Sequence, residues 1–141
     1  MPISPGSLAG GTLGILGFGR IGRAVARRAE AFGLKIAYHG RTRQEGVGHA
    51  YFDSAHAPAE ASDILLVATP GGAETRHMVN ADVLAKLGSR GYLVNIGRGT
   101  AVDEAALVAA LEAGTIAGAG LDVYEDEPRV HPGLIAREDV V

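Results

Sequence analysis

Apolar positions along the chain gather into short uninterrupted runs, and the stretches between them alternate apolar and polar residues with a helical period. Residues 12–16 (Thr-Leu-Gly-Ile-Leu) end at a glycine and have the pattern of a strand buried on both faces. Over residues 20–32 the spacing of Ile21, Ala24, Val25, Arg28 and Ala29 predicts a helix, with Gly33 where a C-terminal cap belongs. Residues 34–39 are a second apolar run. Residues 40–57 are polar and glycine-interrupted, with at most a short strand near Tyr51, and a helical turn at 58–61 leads into a third strand at 63–69. Pro70, Gly71 and Gly72 stop that strand. Asn80 is placed to cap a helix running to about Leu87, residues 91–96 read as a fourth strand, and Asp103 is placed to cap a helix over 104–113 that Gly114 ends. A fifth apolar run covers 116–123, and the acidic, proline-containing tail after it reads as loop with one turn near Leu134. Apolar strands alternating with helices predict an α/β fold with a parallel sheet covered on both faces.

Composition narrows this picture. At 141 residues the chain is the size of one domain, with no linker or internal repeat to divide it. Thirteen basic against sixteen acidic residues give a net charge of -3. The cations are scattered apart from Arg41 and Arg43, which argues against a nucleic-acid groove or an anionic membrane as partner and for a small molecule. Cysteine is absent, so disulfides and thiolate metal sites are excluded, and the five histidines show no metal-ligand spacing. No run approaches the roughly 20 apolar residues that span a bilayer, and residues 1–7 have neither the basic nor the apolar part of a signal peptide. The expectation is a soluble, cytoplasmic protein without a metal.

The most informative motif is Gly17-Phe18-Gly19-Arg20-Ile21-Gly22, a GxGxxG that follows a predicted strand and opens a predicted helix. In that context Gly17 permits the tight turn, Gly19 lets a pyrophosphate approach the backbone, and Gly22 lets the helix pack on the strand. The phosphates would sit on free N–H groups at the helix start, near Arg20 and Ile21. About 20 residues on, where an NAD-binding protein places an Asp or Glu for the adenosine ribose, this chain has Gly40, followed by Arg41-Thr42-Arg43. Two cations flanking a hydroxyl suit a 2′-phosphate, because guanidinium pairs bidentately with phosphate and no carboxylate repels it. The pattern favours NADP(H). A solvated loop that tolerates NAD(H) as well remains the alternative.

Three longer blocks carry a family resemblance. They are Leu13 through Gly22, then Val94-Asn95-Ile96-Gly97-Arg98-Gly99 with Val102-Asp103-Glu104 and Ala105-Ala106-Leu107, and then Gly118 through Pro128. Over residues 8–141 the chain resembles the cofactor domain of the D-2-hydroxyacid dehydrogenases, the family of glyoxylate and hydroxypyruvate reductases. The resemblance implies a doubly wound Rossmann-type sheet. It further implies that Arg98 holds the substrate carboxylate and polarises its 2-keto oxygen, and that Glu127 hydrogen-bonds a catalytic histidine and raises its pKa. Asp122 corresponds to a contact with the nicotinamide amide, while Thr69, Pro70, Thr75, Ile96 and Gly97 fall on cofactor-side loops. The family's histidine belongs to a block that would begin just after Val141, and its substrate domain has no counterpart here. The expectation is a tail at 1–7 and a cofactor domain at 8–141, incomplete at its C-terminus and inactive alone. Family members act on small 2-keto or 2-hydroxy acids and pair as homodimers. His39, His49, His56, His77 and His131 read as isolated side chains without a catalytic role. A non-catalytic dinucleotide-binding module, or a corepressor-like relative, is the competing functional class.

Overall fold

The computed structural model describes residue 8 and residues 10–141, so the tail expected at 1–7 lies outside the described residues. Strands β1 (Thr12–Leu16), β2 (Lys35–His39), β3 (Ala50–Phe52), β4 (Ile64–Val67), β5 (Tyr92–Asn95) and β6 (Gly118–Leu121) form one sheet in the order β3-β2-β1-β4-β5-β6. Every pairing is parallel. Helices α1 (Arg20–Ala31), α2 (His56–Ala61), α3 (Ala81–Leu87) and α4 (Glu104–Ala113) connect the strands. The strand order reverses between β1 and β4, so the chain leaves the sheet in opposite directions there and opens a crevice at the carboxyl ends of the strands. This is the parallel sheet covered on both faces that the alternating runs predict, in the doubly wound, Rossmann-type form that the family resemblance implies.

Period-two alternation sorts the strand residues between the two faces. Leu13 and Ile15 of β1, Ile36 and Tyr38 of β2 and Leu66 of β4 join Ala26 and Ala29 of α1 in one apolar cluster. Leu16, Leu65, Val67 and Leu93 face the other way and pack with Ala59 of α2, Val83, Leu84 and Leu87 of α3 and Leu107 and Leu111 of α4. Gly14 points to this second face, where an added Cβ would lie 3.0 Å from the Pro58 carbonyl oxygen and against the Ser62 hydroxyl. A residue with any side chain there would push α2 off the sheet.

The caps follow the sequence. Asn80 Oδ1 accepts the Val83 N–H at 3.1 Å, Asp103 Oδ1 accepts the Ala106 N–H at 3.2 Å, and Gly114 ends α4 in the left-handed conformation. The short strand allowed near Tyr51 is present as β3, three residues long at the sheet edge and too short for alternation to register. A 3-10 turn at Gly99–Ala101 precedes α4. Ile21, one of the spaced positions from which the first helix is read, is 60% exposed, and the buried face of α1 is Gly22, Ala26 and Ala29. Small residues serve there because α1 lies close on the sheet, with an added Cβ on Gly22 colliding with the Gly17 carbonyl oxygen.

Candidate functional site

The glycine loop leaves β1 and turns at once into α1. Gly17 has φ +93, and a Cβ on it would stand 2.8 Å from the backbone of Thr69 on the neighbouring strand end. Gly19 is the N-cap of α1, has no side-chain cap, and faces open space with nothing within 4 Å of a notional Cβ. The first-turn N–H groups of a twelve-residue helix therefore point at an unobstructed cradle, an arrangement that suits an anion.

Gly17, Phe18, Gly19, Gly40, Arg41, Thr42, Thr69, Pro70 and Thr75 line one cleft of about 530 Å³ across the carboxyl ends of β1, β2 and β4. Most of the cofactor residues expected from sequence thus converge. Thr69 is buried, and its Oγ1 has no hydrogen-bond partner among the described residues. Such an orphaned hydroxyl at the cleft wall fits a polar ligand, and a dinucleotide's ribose or phosphate oxygens are of that kind. Thr75 Oγ1 instead donates to the Pro70 carbonyl at 2.8 Å and so closes the loop after β4. Arg20 lines an adjoining depression with Arg23 and Arg27 of the same helix, and Ile21 is exposed at the helix start.

The cleft also has residues that the sequence did not single out. His39, Gln44, Tyr51, Asp53, Glu74 and Met78 complete its walls. Gln44 braces the loop after β2: its backbone N–H donates to the Tyr38 hydroxyl at 3.0 Å, and its side-chain Nε2 donates to the Phe18 carbonyl of the glycine loop. Tyr38 in turn stacks on Phe18 with ring centroids 4.3 Å apart. Arg41 is paired with Glu74 across the cleft mouth at 3.2 Å.

Arg98, Asp122 and Glu127 lie on the loops after β5 and β6, outside the residues that line this cleft. Asn95, 1% exposed, shapes the first of these loops. Its Oδ1 accepts the Gly97 N–H and its Nδ2 donates to the Arg98 carbonyl, each at 3.0 Å. The Gly97 position adjoins the cleft wall, since a Cβ there would be 2.6 Å from the Thr69 carbonyl oxygen. Arg98 is exposed, its stem over Gly71. Gly99 abuts the Tyr124 carbonyl so closely that no Cβ fits, which brings the Arg98 loop and the Glu127 loop into backbone contact. Asp122 follows directly on β6, and its N–H donates to the Asn95 carbonyl at 3.0 Å. Glu127 Oε1 accepts the Tyr124 N–H at 2.9 Å, and Oε2 has no protein donor in the described residues.

The segment from Asp122 to His131 has no helix or strand of its own and is fastened from outside. The buried Glu104 carboxylate accepts the Glu125 N–H at 2.8 Å and the His131 N–H at 3.3 Å. It sits in the first turn of α4, where the helix dipole also favours a negative charge. His77 corrects the reading of isolated histidines. Its Nε2 is bonded to Glu125 Oε1, and Asp103 lies 3.9 Å from its Nδ1. His49 likewise pairs with Glu30 at 2.8 Å. Both pairings cross between elements far apart in sequence, so no local motif announces them. Among the described residues no group of three His, Cys, Asp or Glu side chains converges to hold a metal ion, and no helix is long and apolar enough to cross a membrane.

The fold and the glycine cradle define a dinucleotide-binding domain. Comparison with known proteins places it further. A family model described as D-isomer specific 2-hydroxyacid dehydrogenase, NAD binding domain, matches residues 2–141. The chain belongs to that family. It is 49% identical over 133 residues to hydroxyphenylpyruvate reductase of Plectranthus scutellarioides, covering 94% of this chain and 42% of that protein. Glyoxylate/hydroxypyruvate reductase A of Arabidopsis thaliana is 47% identical with the same coverage. Among solved structures, an NADPH-dependent glyoxylate/hydroxypyruvate reductase of Sinorhizobium meliloti in complex with NADP and malonate superposes with TM-score 0.93 at 57% identity, over 99% of this chain and 44% of that one. The chain thus spans less than half the length of these relatives.

Proposed function

We propose that this chain is the cofactor domain of an NADP(H)-dependent oxidoreductase that reduces a small 2-keto acid of the glyoxylate or hydroxypyruvate kind. The observation that carries the cofactor assignment is the position of Gly40, Arg41 and Thr42 on the wall of the cleft that holds the glycine loop. A dinucleotide whose pyrophosphate lies on the α1 N-terminus directs its adenosine ribose to the end of β2, where the chain supplies a guanidinium and a hydroxyl in place of a carboxylate. The Sinorhizobium relative, NADPH-dependent by description, supports the same choice. NAD(H) fits the cleft as well, without using Arg41.

When bound, the reduced nicotinamide supplies a hydride to the keto carbon. In this reading the chain's residues bind and orient. The N–H groups of Arg20, Ile21 and Gly22 hold the pyrophosphate, with Gly19 leaving room for it, and the Thr69 hydroxyl meets a ribose or phosphate oxygen. Pro70, Thr75, Ile96 and Gly97 shape the loops beneath the cofactor, and Asp122 accepts from the carboxamide. Arg98 binds the substrate carboxylate with two parallel hydrogen bonds and polarises the oxygen that takes up charge. Glu127 keeps Oε2 available for an imidazole, which a neighbouring carboxylate holds protonated for transfer to that oxygen. In the whole protein that imidazole would come from the histidine block that the family resemblance implies, and the second wall of the cleft from the substrate domain. We extend the proposal to a homodimer, which the family resemblance implies, acting in the cytoplasm.

Two measurements test it. Calorimetric titration should give tighter binding of NADPH than of NADH, and Arg41→Ala should weaken NADPH by roughly tenfold or more while leaving NADH nearly unchanged. In the whole protein, Arg98→Ala should lower reduction of glyoxylate and hydroxypyruvate by about 10²- to 10³-fold. Equal affinities for the two nucleotides refute the cofactor assignment, and full turnover without Arg98 refutes the catalytic one. A reading of binding without turnover rests on one feature of the polypeptide taken alone: no imidazole is hydrogen-bonded to Glu127 among the described residues.

A further inference from the structure

Arg41, the cation assigned above to the 2′-phosphate, already has a partner. Its Nη2 lies 3.2 Å from Oε2 of Glu74, and the two side chains come from opposite walls of the cleft, the loop after β2 and the loop after β4. Both loops are braced, so the two side chains reach toward each other from fixed backbone positions. The first is pinned through Gln44 to Tyr38 and to the Phe18 carbonyl, and the second is closed on itself by Thr75 Oγ1 bonding to the carbonyls of Pro70 and Gly72.

We propose that Glu74 is a specificity-determining residue of the cofactor cleft, an internal competitor that occupies Arg41 in the place of the 2′-phosphate. The inference rests on the NADP(H) reading of Arg41 and deepens it. A 2′-phosphate brings a charge of about -1.5 to -2 and three acceptor oxygens, against one charge for the carboxylate, so guanidinium exchanges Glu74 for phosphate. The exchange is not free of cost. The displaced carboxylate stays tethered to the same rim and faces the dianion as a like charge. NADH, which has a ribose hydroxyl at that position, leaves the Arg41–Glu74 pair intact across the mouth and feels neither effect. Glu74 therefore narrows the margin between the two cofactors and keeps NAD(H) usable in a cleft that has Gly40 and not an acid at the end of β2. The side chains are 82% and 76% exposed, so the pair is weak enough to be displaced and its influence is screened by salt.

The test is titration of NADPH and NADH into the protein and its Glu74→Gln, Glu74→Lys, Arg41→Ala and Arg41→Ala/Glu74→Gln variants at low and high ionic strength. Both positions are on the surface, so circular dichroism should show all variants folded. Glu74→Gln is expected to tighten NADPH about two- to fivefold at low salt, with a smaller gain at high salt and no change for NADH. Glu74→Lys should tighten it further. In the Arg41→Ala background the Glu74→Gln gain should shrink to the residual repulsion, well under the gain seen with Arg41 present. If Arg41→Ala weakens NADPH while Glu74→Gln leaves it unchanged, or tightens NADH equally, the role of Glu74 is overturned and the cofactor assignment stands. If Arg41→Ala leaves NADPH unchanged, both fall together.

Discussion

Substituting the first two glycines of the loop should separate folding from binding. Gly19 has φ -86 and no atom within 4 Å of a notional Cβ, so Gly19→Ala introduces neither a disfavoured dihedral nor a clash. Reduced freedom of the unfolded chain should stabilise the variant by about 0.4 to 1 kcal/mol, or leave it unchanged where the backbone fit is imperfect. The same methyl group fills the cradle in front of the α1 N-terminus. Keeping a pyrophosphate oxygen from one backbone N–H removes a charge-assisted hydrogen bond of about 1.5 to 3 kcal/mol, which is roughly ten- to a hundredfold in affinity. Gly17→Ala is the opposite case. There φ is +93 and the Cβ would stand 2.8 Å from backbone atoms of Thr69, so the variant loses about 1 to 3 kcal/mol from strained dihedrals before the clash is counted. Thermal denaturation and nucleotide titration on the same preparations make the comparison. A Gly19→Ala variant that binds NADPH as tightly as the parent would refute the cradle, and one that melts far below the parent would refute the geometry assigned to Gly19.

Asn95→Ala should cost about 1 to 3 kcal/mol, because it strips both hydrogen bonds from the turn before Arg98 at a position only 1% exposed; chemical denaturation measures the loss, and a variant as stable as the parent contradicts the role given to Asn95. Glu104→Ala should raise amide hydrogen exchange at Glu125 and His131, read by mass spectrometry or NMR, while the amides of β1 keep their protection. The Arg137 guanidinium, by hydrogen bonding to Asp139, holds that carboxyl below the ordinary carboxylate range. A depressed folded pKa gives stability that is present above the unfolded value of about 3.9 and lost as pH falls through the folded one. Arg137→Met should therefore lower the melting temperature more at pH 7 than in strong acid, where the bond to the Leu111 carbonyl is what remains to be lost; a difference that is the same at both pH values would refute the linkage.

The fold was legible because its main determinants are local and periodic. Runs of branched apolar residues such as Ile-Leu-Leu-Val in β4 have to be buried on both faces, glycines and prolines mark their ends, and Asn80 and Asp103 announce helices by the chemistry of their caps. Where the pattern says least, a neighbour decides. Ile21 has a helical-core spacing, but the close approach of α1 to the sheet reserves the inner face for Gly22, Ala26 and Ala29. β3 is a strand because β2 offers an edge to pair with, while its own three residues have no alternation to read.

The candidate site divides along the same line. In the proposed site Gly17, Gly19, Arg41 and Arg98 would act through backbone freedom or a fixed charge, properties that belong to the residue type and survive in a one-dimensional reading. Glu104, His77, Gln44 and Glu74 are each tied to a partner at least 21 residues away in sequence: Glu125, Glu125, Phe18 and Arg41. Nothing in a glutamate at the start of a helix distinguishes one that caps locally from one that grips a distant segment, because both satisfy the helix dipole equally well. The distinction appears only when the parallel sheet brings the loops after β4, β5 and β6 side by side. Loops at that edge have no ladder of their own, so their backbone N–H groups need acceptors, and the buried Glu104 carboxylate at the start of α4 serves two of them. The polar residues missed from sequence are therefore the ones the architecture requires: a fold that builds its site from consecutive loop ends must tie those ends to one another before they can hold a ligand in common.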